Sequence, residues 1–381
     1  MKITVPTIDF GTSKIVTMVA QSNGERCDIV GSGAVPYSGY LQDGWNNPDE
    51  IRDVIRTAID QAQKTGNCRI HELNVGVPGM FTRVIVKEVH VSLTGPDPHV
   101  TAQDVRACFK LAEESGGDRI IHSAPAWFRV DDGKKTLSPV GIKGRELSAM
   151  IALVTADKYF IDDITYRLRD MDIEPREFYS TVAGEATYAL SQDERDKTAM
   201  LIDIGYLCTD VMVMEGDALI FHKCLDIGGG HISADIAEQL NIPFPFVEEK
   251  IKQTYSFNST NQDETYVIPA TEDEPARTVR RDEVTPIIEA KVEEIAEAIN
   301  KALEEGGVKL GKWSNVYLTG GGLILNKGGK DFLAGKLHRI IREAQRTNNK
   351  MTSHVFSSAV GLTILVVTTQ EEQKAPEGGA K

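Results

Sequence analysis

Asp9-Phe10-Gly11-Thr12-Ser13-Lys14 and Asp203-Ile204-Gly205-Tyr206-Leu207-Cys208-Thr209-Asp210 are two copies of one turn. An apolar strand enters each (Lys2 to Ile8; Ala199 to Ile202) and a second leaves it (Ile15 to Ala20; Val211 to Met214), so each reads as a β-hairpin built on Asp-x-Gly. A short turn follows in both copies, Asn23-Gly24 and Glu215-Gly216-Asp217, and then a third strand, Cys27 to Gly31 and Ala218 to Leu225. Two copies of strand, phosphate-sized turn and strand predict an α/β chain of duplicated domains with a ligand between them.

The chain's 381 residues suit two domains, each large enough to bury a core. A formal charge of −14 argues against nucleic-acid binding and against direct adhesion to anionic lipid, since both need basic surface. Five scattered cysteines, without Cys-x-x-Cys spacing, fit a reducing compartment better than a disulfide framework or a zinc site. No signal segment precedes the first strand, and Val360 to Val367 is too short to span a bilayer, so the expectation is a cytoplasmic protein. Gln370 to Lys381 is polar, carries Pro376, Gly378 and Gly379, and reads as a disordered tail.

Between the hairpins, Asn47-Pro48 marks a helix start, and Ile51, Val54, Ile55, Ala58, Ile59 and Ala62 recur at helical spacing up to Gly66. Leu73 to Val77 is a buried strand. From Arg83 to Asp157 the pattern changes to strand, helix (Ala102 to Glu114, capped by Thr101), strand and strand, a compact α+β unit inserted in the first domain. The second half adds Gly228-Gly229-Gly230-His231 opening a helix, a helix from about Phe246 to Tyr255, and a polar stretch, Ser256 to Arg277, that reads as a surface loop. A long amphipathic helix spans Asp282 to Glu305, and a strand ends in Thr319-Gly320-Gly321-Gly322. Helical periodicity then covers Asp331 to Arg346 and Phe356 to Val366. The implied boundaries are 1–82 with 158–198 for the first domain and 83–157 for its insertion. The second domain takes 199–244 with 312–369, its subdomain 245–311, and the tail 370–381.

In the first turn, Gly11 lets backbone N–H groups approach a phosphate, while Thr12, Ser13 and Lys14 add hydroxyls and a cation. Asp9 is placed to hold water on magnesium, which prefers carboxylate and water oxygens beside phosphates. The glycine runs at Gly228-Gly229 and Gly320-Gly321-Gly322 offer bare backbone to a nucleotide. Each motif alone is weak, because Asp and Thr often satisfy their own backbone in a turn and glycines often only cap strands. Their order along the chain is what carries weight.

That order resembles the actin-like ATPase superfamily, with duplicated ribonuclease H-like domains, and within it the FtsA family of bacterial cell division proteins. The resemblance rests on Asp9 to Ile15, on Ser138-Pro139-Val140-Gly141-Ile142-Lys143-Gly144 in the insertion, and on Leu190 to Arg195. Gly228 to Ala237, Glu249-Lys250-Ile251-Lys252 with Tyr255, and Arg281 through Glu294 extend it over nearly the whole chain. It implies ATP or ADP with Mg as ligands. Asp9 and Asp203 would lie on the metal side, with Asp203 facing the attacking water, and Gly11, Thr12, Ser13, Lys14 and Gly205 on the phosphates. Gly228, Gly229, Glu249, Lys252, Gly320, Gly321 and Gly322 would contact the nucleotide, the last five of them around the adenosine. It further implies self-association into filaments, an FtsZ-like tubulin homologue as partner, and recruitment to the inner membrane face through a partner. Glu185, a loosely aligned general-base candidate, reads as a solvated carboxylate.

The second turn departs from the family's Asp-x-Gly-Gly-Gly-Thr-Thr-Asp. Tyr206 and Leu207 replace two glycines and Cys208 a threonine. Side chains there penalise positive φ and close backbone approach, which predicts weak or absent ATP hydrolysis. The closing segment, Thr368 to Lys381, has no apolar face for the family's membrane helix. The alternatives are a PilM-like assembly adaptor and, with the signature in the insertion against it, a sugar-kinase-type phosphotransferase.

Overall fold

The computed structural model describes residues 3–374 except 43, 115, 118, 262, 271–274, 312–313 and 345–352. The chain divides into two compact units, one made of Met1–Leu201, Met212–Lys223 and Gln345–Lys381, the other of Ile202–Val211 and Cys224–Ala344.

In the first unit, β1 (Ile3–Phe10), β2 (Lys14–Ser22) and β3 (Cys27–Pro36) form an antiparallel meander in which Phe10 faces Ile15 across the first turn. Helix α1 (Ile51–Gly66) buries Ile51, Val54, Ile55, Ala58, Ile59 and Ala62, the stripe its periodicity marks. It starts three residues beyond Pro48, which lies in the preceding turn rather than in the first helical turn. The chain returns as β4 (Glu72–Val77), parallel to β1.

The insertion follows: β5 (Thr82–Ser92), α2 (Ala102–Glu114), β6 (Ile120–Val130) and β7 (Glu146–Ala156), with β7 central and antiparallel to both neighbours. Thr101 and Asp104 cap α2 reciprocally, the Asp104 amide donating to Thr101 Oγ1 (3.3 Å) and the Thr101 amide to Asp104 Oδ2 (2.8 Å). Cys108, Phe128, Leu147, Ile151 and Leu153 form a core belonging to the insertion alone. Its Ser138–Gly144 segment turns at Gly141 (φ 87°) and leaves Val140 and Ile142 exposed.

Helix α3 (Lys158–Arg169), β8 (Glu174–Ser180) and α4 (Thr181–Ala189) complete a five-stranded sheet of order β8-β4-β1-β2-β3. After Thr198, β9 (Ala199–Ile204), β10 (Thr209–Glu215), β11 (Ala218–Leu225), β14 (Asn315–Thr319) and β15 (Ile341–Glu343) form a second sheet of order β11-β10-β9-β14-β15. The two orders are the same series, which is the duplication the turns predict. The division between units falls within β9, β10 and β11, so the stretch around the second turn belongs to the second unit.

The second unit also holds α5 (Gly229–Gln239), a π-helical turn at Val247–Lys252, the hairpin β12 (Thr265–Ile268) with β13 (Arg277–Arg280), α6 (Arg281–Glu305) and α7 (Gly329–Leu337). Four expectations change here and at the C-terminus. The polar stretch 256–277 contains a strand, with Tyr266 and Ile268 buried, because its alternation is too short to stand out among polar residues. The periodicity over Asp331 to Arg346 breaks at His338, whose left-handed backbone ends α7, and Ile341–Glu343 pairs in parallel with β14. The final helix, α8 (Ser357–Lys374), runs past residue 370 and buries Gln370, so the tail boundary moves; residues 375–381 lie outside the described residues.

α8 also packs on the first unit rather than extending the second domain. Leu362, Val366 and Val367 join Ile3, Val5, Ala20 and Tyr179, and the Thr7 and Thr363 hydroxyls lie 2.8 Å apart. Its crossing with α4 is backbone on backbone, since a Cβ on Gly361 would lie 2.5 Å from the Glu185 Cα. That contact buries Glu185, 1% exposed, correcting its reading as a solvated carboxylate. Because both partners at the crossing are main chain, neither can yield. Gly361→Val is expected to cost about 3 kcal/mol, the upper range for overpacking, read from the urea midpoint.

Candidate functional site

The first turn stands on an aromatic platform. Phe10 packs edge-on against Phe160 (5.5 Å) and tilted against Trp45 (5.7 Å), and Phe160 stacks on Phe81 (5.0 Å). Tyr40 donates to the Phe10 carbonyl (3.0 Å) and Tyr37 to the Gly11 carbonyl (2.8 Å), while the Gly11 amide closes the turn on the Lys14 carbonyl (3.1 Å). Carbonyls tied back in this way leave the turn's outer surface to hydroxyls and to the Lys14 ammonium, which lies 5.3 Å from the Phe356 ring centroid. Buried Thr12 and half-buried Ser13 complete it.

Asp9 is 3% exposed. Ser358 donates to its Oδ2 (2.8 Å) and Thr181 to its Oδ1 (3.4 Å). Burial raises its carboxyl above the ordinary 3.8, against the opposing pull of the Ser358 bond and the Lys14 charge. Neither hydroxyl is legible as a partner in the sequence, since one lies 349 residues away and the other 172.

The second turn is organised by backbone. The Gly205 amide donates to the Cys208 carbonyl (2.9 Å), Gly229 to Gly205 (2.9 Å), Gly230 to Tyr206 (2.7 Å) and Gly322 to Ile204 (2.7 Å). The Gly228 amide donates to His231 Nδ1 (3.0 Å). Thus the amides of Gly228, Gly229 and Gly230 at the start of α5 have protein acceptors, which gives this run a structural role. A Cβ on Gly229 would lie 2.4 Å from the Gly322 Cα, one on Gly322 2.3 Å from the Gly205 carbonyl oxygen, and one on Gly320 (φ 87°) 2.0 Å from Asp203 Oδ1. The Tyr206 ring lies against Gly230, whose Cβ would be 3.0 Å from its Cζ, and so covers the α5 N-terminus.

Lys252, at the end of the π-helical turn, donates to the Gly229 carbonyl (2.6 Å) and pairs with Glu248 (3.4 Å). Its Nζ stands 5.8 Å from the Tyr206 ring centroid, and burial lowers its pKa against the Glu248 charge. Glu249 is exposed, and the lysine's ion-pair partner is its i,i+4 neighbour Glu248. Asn326 holds this segment by donating to the Lys252 (2.6 Å) and Tyr255 (3.2 Å) carbonyls. Gly321 lies half-buried between Gly320 and Gly322.

Two profiles of one family fit this arrangement. One, described as cell division protein FtsA, matches residues 200–361, and the other, described as the SHS2 domain inserted in FtsA, matches residues 79–155, the span of β5 to β7. The chain belongs to the FtsA family. FtsA of Pseudomonas aeruginosa is 26% identical over 320 residues, covering 82% of this chain and 76% of that protein. Among solved structures, the PilM-PilN type IV pilus biogenesis complex superposes with TM-score 0.64 at 17% identity, over 96% of this chain and 99% of that one. MreB5 of Spiroplasma citri bound to ADP superposes with TM-score 0.57 at 12% identity, over 99% of both chains. These likenesses establish an actin-like fold.

Arg195 has a structural task. It is buried and donates to the carbonyls of Leu190 (2.7 Å), Thr187 (3.2 Å) and Gly216 (3.0 Å), pinning the β10–β11 turn.

Gly11 and Gly229 should respond differently to substitution. A Cβ on Gly11 meets only the Lys14 carbonyl oxygen at 3.2 Å, so Gly11→Ala should change stability by less than about 1 kcal/mol, whereas Gly229→Ala must displace main chain and should cost about 3 kcal/mol. Calorimetry of both variants checks this. For Asp9 the folded pKa lies above the unfolded one, so its stabilising effect is complete below 3.8 and lost as pH rises through the folded value. Burial of this carboxyl therefore costs the ligand-free protein stability at pH values above the unfolded pKa. Asp9→Asn is expected to raise the thermal midpoint of nucleotide-free protein at pH 7 and to remove its decline above pH 4; a lowered midpoint contradicts this.

Proposed function

We propose that the chain acts in cell division as an FtsA-like actin homologue, an adaptor that binds ATP or ADP, self-associates into filaments and hydrolyses nucleotide slowly or not at all. The observation that carries the reading is the insertion β5–α2–β6–β7, which coincides with the matched SHS2 segment. Related FtsA proteins bear the name cell division protein, and the solved MreB5 structure holds ADP.

The residues of the first turn fit a magnesium nucleotide. Asp9 supplies a buried carboxylate beside the Ser358 and Thr181 hydroxyls, suited to orienting water on a magnesium ion, and Gly11 to Lys14 supply hydroxyls and a cation for phosphate oxygens. The bound ion would neutralise phosphate charge and relieve the cost of the buried Asp9 carboxylate. In the second unit, Lys252 and Gly321 remain the nucleoside-side candidates, with exposed Glu249 at the margin. Gly228, Gly229, Gly320 and Gly322 act through the shape of the turn rather than as direct ligands.

Slow hydrolysis follows from Tyr206. Its ring covers the N-terminus of α5, and its carbonyl takes the Gly230 amide. Donors already engaged cannot stabilise charge developing on a transferring phosphoryl group, and a bulky turn cannot set water in line. Asp203, whose carboxylate lies against Gly320, is the candidate in that turn for orienting water. Exposed Val140 and Ile142 on the insertion offer apolar area for contact with a second copy. An FtsZ-like tubulin homologue is the expected partner. Among the described residues no helix is long and apolar enough to cross a membrane, which suits recruitment to the inner membrane face through a partner.

Purified protein should retain or bind ATP and ADP, sediment as filaments visible by electron microscopy with nucleotide, and turn over ATP at or below the order of 10⁻³ s⁻¹, the scale of a GTPase without its completing arginine. Turnover on the order of 1 s⁻¹ or faster sinks the slow-hydrolysis reading. Absence of pelleting across nucleotides and salt concentrations sinks the filament reading.

A further inference from the structure

Scattered cysteines with no metal-binding spacing argue against a zinc site, yet the fold gathers two of them with a carboxylate. Cys208 closes the second turn, Asp210 lies on β10 and Cys224 on β11, and one ligand atom from each falls within 4.8 Å of the others. Cys208 is buried, the other two are half-buried, and Cys224 hydrogen-bonds with both Cys208 and Asp210. We propose that Cys208, Asp210 and Cys224 form a binding site for a thiophilic divalent cation, of which zinc is the type, tying the altered second turn to the neighbouring strand.

The chemistry fits on three counts. Two thiolates and a carboxylate are a donor set for zinc, and three protein ligands leave a fourth tetrahedral position for water. Ligands about 2.3 Å from a common centre stand roughly 3.7 Å apart in a tetrahedron, so atoms within 4.8 Å reach it by small side-chain rotations. The scaffold is also rigid at this point. The Cys208 carbonyl accepts from Gly205 (2.9 Å), and Thr209, between two of the ligands, donates to the Ile227 carbonyl (2.7 Å) three residues beyond the third.

Cys208 stands where the family's turn carries a threonine. The departure that adds Tyr206 and Leu207 therefore also brings the first thiol, while Asp210 is the turn's own closing carboxylate. A cation here would hold the turn through side chains in place of phosphate held through backbone. The inference does not depend on the proposed role in division, and metal uptake is measurable without nucleotide.

The test uses the full chain, reduced and stripped with chelator. Cobalt titration should give a thiolate-to-cobalt charge-transfer band saturating at one equivalent, abolished by zinc, and zinc should raise the thermal midpoint. Cys224→Ser and Asp210→Asn should each weaken zinc binding at least about tenfold, the scale on which even outer-shell changes act, with the band at most about half as intense in Cys224→Ser, lost when Cys208→Ser is added to it, and unchanged in Cys68→Ser. A second measurement needs no variant: zinc should protect Cys208 and Cys224, but not Cys27 or Cys68, from alkylation followed by mass spectrometry. Absence of the band together with absence of protection overturns the proposal. So does a band of undiminished intensity in Cys224→Ser, or a Cys208–Cys224 disulfide that forms when the reduced protein is exposed to air and zinc neither binds nor slows it.

Discussion

The second unit depends on a meeting of main chains. Ile204 and Gly205, Gly228 to Gly230, and Gly320 to Gly322 come from three distant parts of the sequence and meet main chain on main chain where Gly229 faces Gly322 and Gly322 faces Gly205. A methyl group at Gly229, Gly320 or Gly322 would fall within 2.0 to 2.4 Å of another atom. Contacts this close leave the relative placement of β9, α5 and the end of β14 almost no freedom, because close-packed interiors transmit strain instead of absorbing it. The same contacts consume the amides that a glycine-rich helix start usually offers to an anion.

Tyr206 follows from that arrangement. Where the related turn keeps a glycine, an aromatic ring here lies on Gly230 with the Lys252 ammonium at its edge of reach, and Lys252 is in turn held by Glu248 and the Gly229 carbonyl. The cluster satisfies itself. The first unit is built on the opposite principle. Its turn rests on Phe10, Trp45 and Phe160, its carbonyls are secured from below by Tyr37 and Tyr40, and a buried carboxylate is left at a cost that a cation would relieve. Two copies of one motif have thus diverged into a turn resting on an aromatic platform beside a buried carboxyl and a turn locked by its own chain.

Much of this was legible in local pattern. The meanders, α1, the insertion and α6 follow from apolar periodicity, and the cap at Thr101 from residue type. Readings failed where a short segment owes its structure to a distant partner. Ile341–Glu343 is a strand because β14 lies beside it, against a helical period continuing from α7. Glu185 is buried because Gly361 lets α8 approach α4. The assignment of α8 to the second domain failed for a similar cause: sequence order says nothing about which sheet a returning helix covers.

The sequence by itself determined the duplication, the inserted subdomain, the family and the altered second turn, because these are written in motifs of a few adjacent residues and in periods of 2 and 3.6. Tertiary structure decided the roles. Whether a glycine serves a ligand or a neighbouring backbone, whether a carboxylate is solvated or buried, and whether two cysteines 16 residues apart meet beside an aspartate depends on contacts across long stretches of chain. Those contacts are set by packing, which fixes distances that residue type and spacing leave free.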